Sequence, residues 1–294
     1  MPTMKTLAPP WGNDMLKLMY ITNRPEIAKI AQDNGVDRIF VDMEYLGKDQ
    51  RQKGLDTVKS HHTLADVAAL RGVLDRADLM VRINPVHRGV SGVPDTSEEI
   101  DGAIAAGAEV LMLPFFKTPE EVETFLCTVN GRARTMLLVE TPQAVARIDE
   151  ILALGRIDEI HIGLNDLSLG YGQRFLFQPL ADGTVDRLCA KLRARSIPYG
   201  FGGIARLGGG LVPAEVIIRE HYRLGSERAI LSRSFCDASE ISDLAQVETL
   251  FRSGMAELRT FEASFDRSAA ALEANRLDLV GRVERVVRQM EGGV

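Results

Sequence analysis

Several short apolar runs in this sequence end on side chains that can bind, polarise or ionise. VDMEY carries Asp42 and Glu44, VRIN carries Arg82 and Asn84, PFFK ends at Lys117, LVET holds Glu140, IGLND holds Asn165 and Asp166, and LSRS holds Ser232 and Arg233. Gly202 and Gly203 close another run. The set is rich in carboxylates. Two carboxylates brought close together repel unless a proton or a cation sits between them. A hard divalent ion meets that need, because Mg2+ is held by one or two protein carboxylates and keeps its other positions for water and substrate oxygens. Glu140 and Asp166, at the ends of consecutive runs, are therefore read as ligands of Mg2+, or of Mn2+ or Co2+. Taken singly, each could instead cap a helix or be a solvated loop acid. Arg82 ends the apolar run LMVRI, where a charge needs a partner. It could pair internally with Glu44. It could also hold a substrate carboxylate by two parallel hydrogen bonds, and a metal beside such an arginine would receive a 2-oxo acid and stabilise its enolate. Glu44, Asn84, Gly202, Gly203 and Ser232 are further candidates for substrate contact, as are His87, Arg88 and Arg233.

These residues need elements to position them. The apolar runs predict strands over 16–22, 38–44, 79–84, 110–115, 136–141, 159–165, 198–204 and 229–235, and their near-continuous apolar character suits a parallel sheet covered by helices. Segments with helical spacing lie between them at 25–34, 63–74, 97–106, 119–129, 142–154 and 186–196. Starter residues mark several of these: Asn23 before Arg24-Pro25, Thr118 before Pro119, and Thr141 before Pro142. Eight strands alternating with helices predict an α/β fold of the (β/α)8 TIM-barrel type, whose active sites lie at the carboxyl ends of the strands. A doubly wound open sheet is the alternative, but no GxGxxG turn follows an early strand. GFGGIARLGGG, at 200–210, comes after the seventh strand. It could offer backbone N–H groups to a phosphate or carboxylate, or be a plain turn.

Residues 1–240 are thus expected to form the barrel. From 241 to 294 the pattern becomes purely helical, with an apolar stripe at Leu250, Met255, Leu258, Phe261 and Phe265 that must cover either its own barrel or a neighbouring subunit. The second case predicts a homo-oligomer. The 294 residues carry 35 Lys and Arg against 41 Asp and Glu, a formal charge of −6, which does not suit a binder of nucleic-acid backbones. Three scattered cysteines have neither CxxC nor zinc-site spacing and suit a reducing cytosol. No signal-like or membrane-length apolar run is present, so a cytoplasmic protein without membrane contact is expected.

VDMEY, LMVRIN, EEIDGAIAAGAEVLMLPFFKTPEEV, LLVETPQAV and IHIGLNDLSLG together resemble the HpcH/HpaI aldolase and citrate lyase β-subunit family over roughly residues 35–235. The resemblance implies a metal-dependent TIM barrel in which Glu140 and Asp166 ligate the ion and Arg82 binds an oxo-acid carboxylate. It also implies reversible carbon–carbon cleavage through the enolate of a 2-oxo acid such as pyruvate or oxaloacetate, with an aldehyde as a further substrate, or cleavage of a citrate-like acyl-CoA. One position departs. Tyr45 stands where the aldolase branch has a proton-transferring histidine and the citrate-lyase branch another acidic pair. A phenol is a reluctant base at neutral pH. His61 and His62, in KSHHTLADV, are the alternative proton-transfer groups, unless they only flank a helix start capped by Thr63. Lys117 raises a Schiff-base route, although it could equally start a helix or touch an anionic group. The departure at Tyr45 also leaves open a barrel without turnover that serves as a binding or assembly subunit.

Overall fold

The computed structural model describes residues 15–47, 62–89, 94–238 and 241–292. Its strands are β1 (Lys17–Ile21), β2 (Arg38–Asp42), β3 (Asp78–Arg82), β4 (Val110–Leu113), β5 (Arg134–Val139), β6 (Glu159–Ile162), β7 (Tyr199–Ile204) and β8 (Arg228–Leu231). Its helices are α1 (Pro25–Asp33), α2 (Leu64–Arg71), α3 (Thr96–Ala105), α4 (Pro119–Val129), α5 (Pro142–Ala146), α6 (Ile148–Ala153), α7 (Leu164–Gly170), α8 (Gln178–Ala181), α9 (Thr184–Ala194), α10 (Ala214–Leu224), α11 (Leu244–Ser264) and α12 (Ala269–Gly292). The strands pair in chain order into a closed parallel barrel, sealed where Leu18 of β1 meets Ala229 of β8. This is the expected (β/α)8 architecture.

Alternation along each strand sorts the apolar residues into two cores. Met19, Phe40, Met80, Val110, Met112, Met136 and Leu138 point inward and fill the barrel. Their neighbours, among them Leu18, Ile39, Val41, Leu79, Val81, Leu111 and Leu137, point outward under the helices. Charge closes the amino-terminal end. Arg38 donates to both oxygens of Glu159, at 2.6 and 2.9 Å, and to Asp78 at 3.1 Å. Arg228 lies 3.3 Å from Glu159, and Arg134 lies 2.6 Å from Asp78. Ions this deep persist because each has opposite charges against it.

The helix starts differ in detail from expectation. Thr118 and Thr63 form capping boxes with Glu121 and Asp66, and Thr141 accepts the Ala144 N–H. Asn23 does not cap α1. Arg24 holds that position without a side-chain bond, and Asn23 reaches across to Asp66 instead. The helix expected over 142–154 breaks at Arg147, giving α5 and α6. β6 stops at Ile162 because Leu164–Gly170 winds into α7, which takes Asp166 off the strand.

The last two helices lie on the barrel's outer layer, α11 against α1 and α12 against α10. Buried polar ties fix them. Glu262 accepts from the Leu16 N–H (3.0 Å), Tyr222 Oη (2.9 Å) and Arg259 (2.7 Å), and Asn275 donates to the Val216 carbonyl and to Glu220. Among the described residues no helix is long and apolar enough to cross a membrane.

Candidate active site

A cavity of about 250 Å³ opens inside the carboxyl-terminal mouth of the barrel. Arg82, Glu140, Asp166, Gly202, Gly203 and Ser232 all line it, together with His161. Glu140 directly follows β5 and is buried, while Asp166 sits in the first turn of α7, half-buried. Glu140 is held from two sides. Its Oε1 accepts the Phe115 N–H at 3.0 Å, which Phe115 presents from a left-handed backbone conformation (φ 49°). Its Oε2 lies where only a glycine can pass, since a Cβ on Gly163 would come within 2.7 Å of that oxygen. Burial, reinforced by the nearby negative charges of Asp166 and Glu44, pushes the Glu140 carboxyl well above the usual range, against the pull of Arg82 and the Phe115 N–H.

Arg82 ends β3 opposite Asp42 of β2. Asp42 takes its Nε and Nη2, both at 2.8 Å, and Glu44 lies 3.4 Å from Nε. Burial opposes the arginine's charge, but Asp42, Glu44 and Glu140 outweigh it, so the guanidinium stays protonated. The internal ion pair and the ligand-facing role are therefore compatible. One edge of the guanidinium is used, and no hydrogen bond among the described residues occupies Nη1.

Other expected site residues lie elsewhere. Tyr45 is exposed, and its backbone N–H, like that of Leu46, donates to Asn84 Oδ1 at 2.9 Å. Asn84 in turn donates to Glu99 through its backbone and its side chain, so it braces the β2 turn rather than facing ligand. Glu44 is buried beside Arg82. Among the described residues, Tyr45, Glu44, Asn84 and His62 are not part of the cavity wall. His62 stands behind β2, where its Nδ1 accepts the Asp42 N–H at 3.0 Å. Thr63 beside it caps α2, as the plainer reading of that segment expects. His61 lies outside the described residues. His87 places both ring nitrogens at 2.8 Å from loop carbonyls of Pro85 and Pro94.

Lys117 belongs to a second cavity, of about 360 Å³, lined also by Phe115, Gln143 and Leu169. Glu140 and Asp166 form its shared wall with the inner one. That position sets Lys117 outside the barrel interior, in the cavity on the other side of Glu140 and Asp166. The glycine-rich loop is a poor phosphate cradle, since the Gly208 N–H already donates to the Glu215 carboxylate and the Gly209 N–H to the Arg206 carbonyl.

His161 is a cavity residue that the pattern of strand-end polar side chains does not reach. Buried in β6, it lies two positions from Glu159, whose carboxylate meets Arg38 inside the barrel. Burial, with Arg228, Arg38 and Arg82 nearby, pushes its imidazole down to about 4. The period of two through EIHIG was the available signal, because it sets His161 on the same face as Glu159 and Gly163.

No group of three or more His, Cys, Asp or Glu suited to a metal is found among the described residues. Two carboxylates are what Mg2+ commonly takes from a protein, and buried Glu140 with half-buried Asp166, whose charges oppose one another, fits such an ion.

Residues 17–175 match the model of the HpcH/HpaI aldolase/citrate lyase family. The chain belongs to that family. A family member from Burkholderia cenocepacia J2315 superimposes with TM-score 0.59 at 16% identity, over 85% of this chain and 95% of its own. An HpcH/HpaI aldolase from Desulfitobacterium hafniense DCB-2 gives 0.56 at 16% identity, over 87% and 96%. A 71-residue stretch, 24% of this chain, is 34% identical to a pyruvate kinase of Methylorubrum extorquens and spans 14% of that protein's length.

Proposed function

We propose that this chain is a divalent-metal-dependent carbon–carbon lyase of the class II aldolase type, acting on a 2-oxo acid such as pyruvate or oxaloacetate. The observation that carries the reading is the convergence of Glu140, Asp166 and Arg82 on one cavity. Glu140 and Asp166 would hold the ion, which supplies Lewis acidity to the keto oxygen and so favours the enolate.

The protein's own groups do the rest. Asp42 fixes the plane of Arg82, which leaves Nη1 for the substrate carboxylate. The Phe115 N–H and Gly163 set the Glu140 carboxylate in place. Phe40, Met112, Leu138 and Ile230 give the cavity an apolar floor that excludes water and strengthens each charge interaction above it. The Asp42 N–H donates to His62 Nδ1 behind β2, which ties the segment before α2 to the strand that carries Asp42.

Solvent deuterium exchange into pyruvate tests the reading. The purified protein should exchange the methyl protons with added Mg2+ or Mn2+, stop on chelation, and lose exchange in Glu140→Ala. Absence of exchange with pyruvate and oxaloacetate, in folded protein that binds the ion, would leave a binding or assembly subunit as the better reading.

A further inference from the structure

His161 lines the inner cavity with an imidazole that is only half used. Its Nε2 lies 3.1 Å from the Gly202 carbonyl oxygen. A carbonyl only accepts, so Nε2 carries the ring proton and Nδ1 is a bare lone pair. That Nδ1 is buried and has no hydrogen-bond partner among the described residues, an unfavourable state for an acceptor. The ring cannot relieve it alone. The other tautomer would set a lone pair against the Gly202 oxygen, and burial, with three arginines nearby, opposes protonation of a ring pushed down to about 4. The same surroundings make His161 a poor base, so accepting a hydrogen bond is the role left to it.

The depth of the ring limits what can donate. His161 pairs in register with Leu138, two residues before Glu140, so it lies one inward position deeper. Two strand residues are about 6–7 Å, a gap covered only when the ligand's keto C–O bond, the bond to its next carbon, a hydroxyl on that carbon and a hydrogen bond of about 2.8 Å follow one another inward. Phe40, Met112, Leu138 and Ile230, which line the same cavity, carry no polar hydrogen. We propose that His161 makes the site selective for a 2-oxo acid bearing a hydroxyl on the carbon next to the keto group, with that O–H donating to Nδ1. The inference rests on the metal-and-arginine receptor proposed above.

Calorimetric titration with hydroxypyruvate and with pyruvate, at saturating Mg2+, separates the two ideas. Wild type should bind hydroxypyruvate about tenfold more tightly, the worth of one buried hydrogen bond. His161→Leu should lose that preference while keeping its affinity for pyruvate. His161→Gln, whose amide oxygen can accept, should retain part of it. In wild type with 15N-labelled histidine, the Nδ1 resonance should move to lower frequency with hydroxypyruvate and not with pyruvate. Equal binding by wild type, a preference that survives in His161→Leu, or an unmoved Nδ1 signal would overturn the inference while leaving the receptor standing. Failure of both ligands to bind would overturn the receptor, and this inference with it.

Discussion

Asp42 grips Arg82 edge-on, Oδ1 accepting from Nε and Oδ2 from Nη2, each at 2.8 Å, where β2 and β3 run in register. Arg82 is thus aimed before any ligand arrives, and Asp42 is a positioning residue. Asp42→Ala should raise the KM for a 2-oxo acid about 10- to 100-fold, with a smaller effect on kcat. Removing one partner of a buried pair should also lower stability by about 3–5 kcal/mol. Steady-state kinetics and urea unfolding check the two effects separately.

Gly163 has a φ of −82°, which alanine adopts freely, so Gly163→Ala acts through space alone. Its new Cβ would sit 2.7 Å from Glu140 Oε2. Mg2+ affinity should fall about 10- to 100-fold, as when a ligand's support is disturbed, with circular dichroism unchanged. Calorimetric Mg2+ titration measures it. Unaltered affinity would show that Glu140 does not need this constraint.

Glu140 has a folded-state pKa above its ordinary value of 4.5, so between the two the native chain holds a proton that the unfolded chain has released. Its contribution to metal-free stability is therefore greatest below about pH 4.5 and declines as pH rises through the folded value. His161 and His221, pushed down to about 4 and about 3, act oppositely, and their contribution is lost as pH falls from 6.5 toward those values. Urea midpoints across this range should show Glu140→Gln stabilising the metal-free protein more at pH 8 than at pH 5. Mg2+ should narrow that difference by binding the ionised pair, and its own affinity should rise with pH as the Glu140 proton is displaced.

Glu159 faces Arg38, Arg134 and Arg228 at the closed end of the barrel. Glu159→Ala leaves these guanidinium groups short of countercharge and should cost about 3–5 kcal/mol. The loss should persist at high salt, because buried pairs are screened weakly. Denaturant melts at low and high ionic strength measure it.

The strands were legible because burial on both faces writes them as unbroken apolar runs, and the rim residues Arg82, Glu140 and Asp166 followed from where those runs end. The placement of Tyr45 and Asn84 was not legible, for a physical reason. Residues at a strand's end can turn toward the ligand or bind the next loop, and only the fold shows that Asn84 Oδ1 takes the N–H groups of Tyr45 and Leu46. His161 was missed because one histidine in EIHI looks like a buried strand residue until the barrel closes around it. The break at Arg147 lay beyond periodicity, since α5 and α6 share one apolar spacing.

Glu262 ties the Leu16 N–H across 246 residues of chain. On the ribosome the first stave must therefore wait, unlatched at its base, until residue 262 has emerged, because its seam to β8 and its tether to α11 are both supplied by later-arriving segments. Truncation before residue 262 would strip that latch from the opening strand, so damage at the tail would be felt at the head.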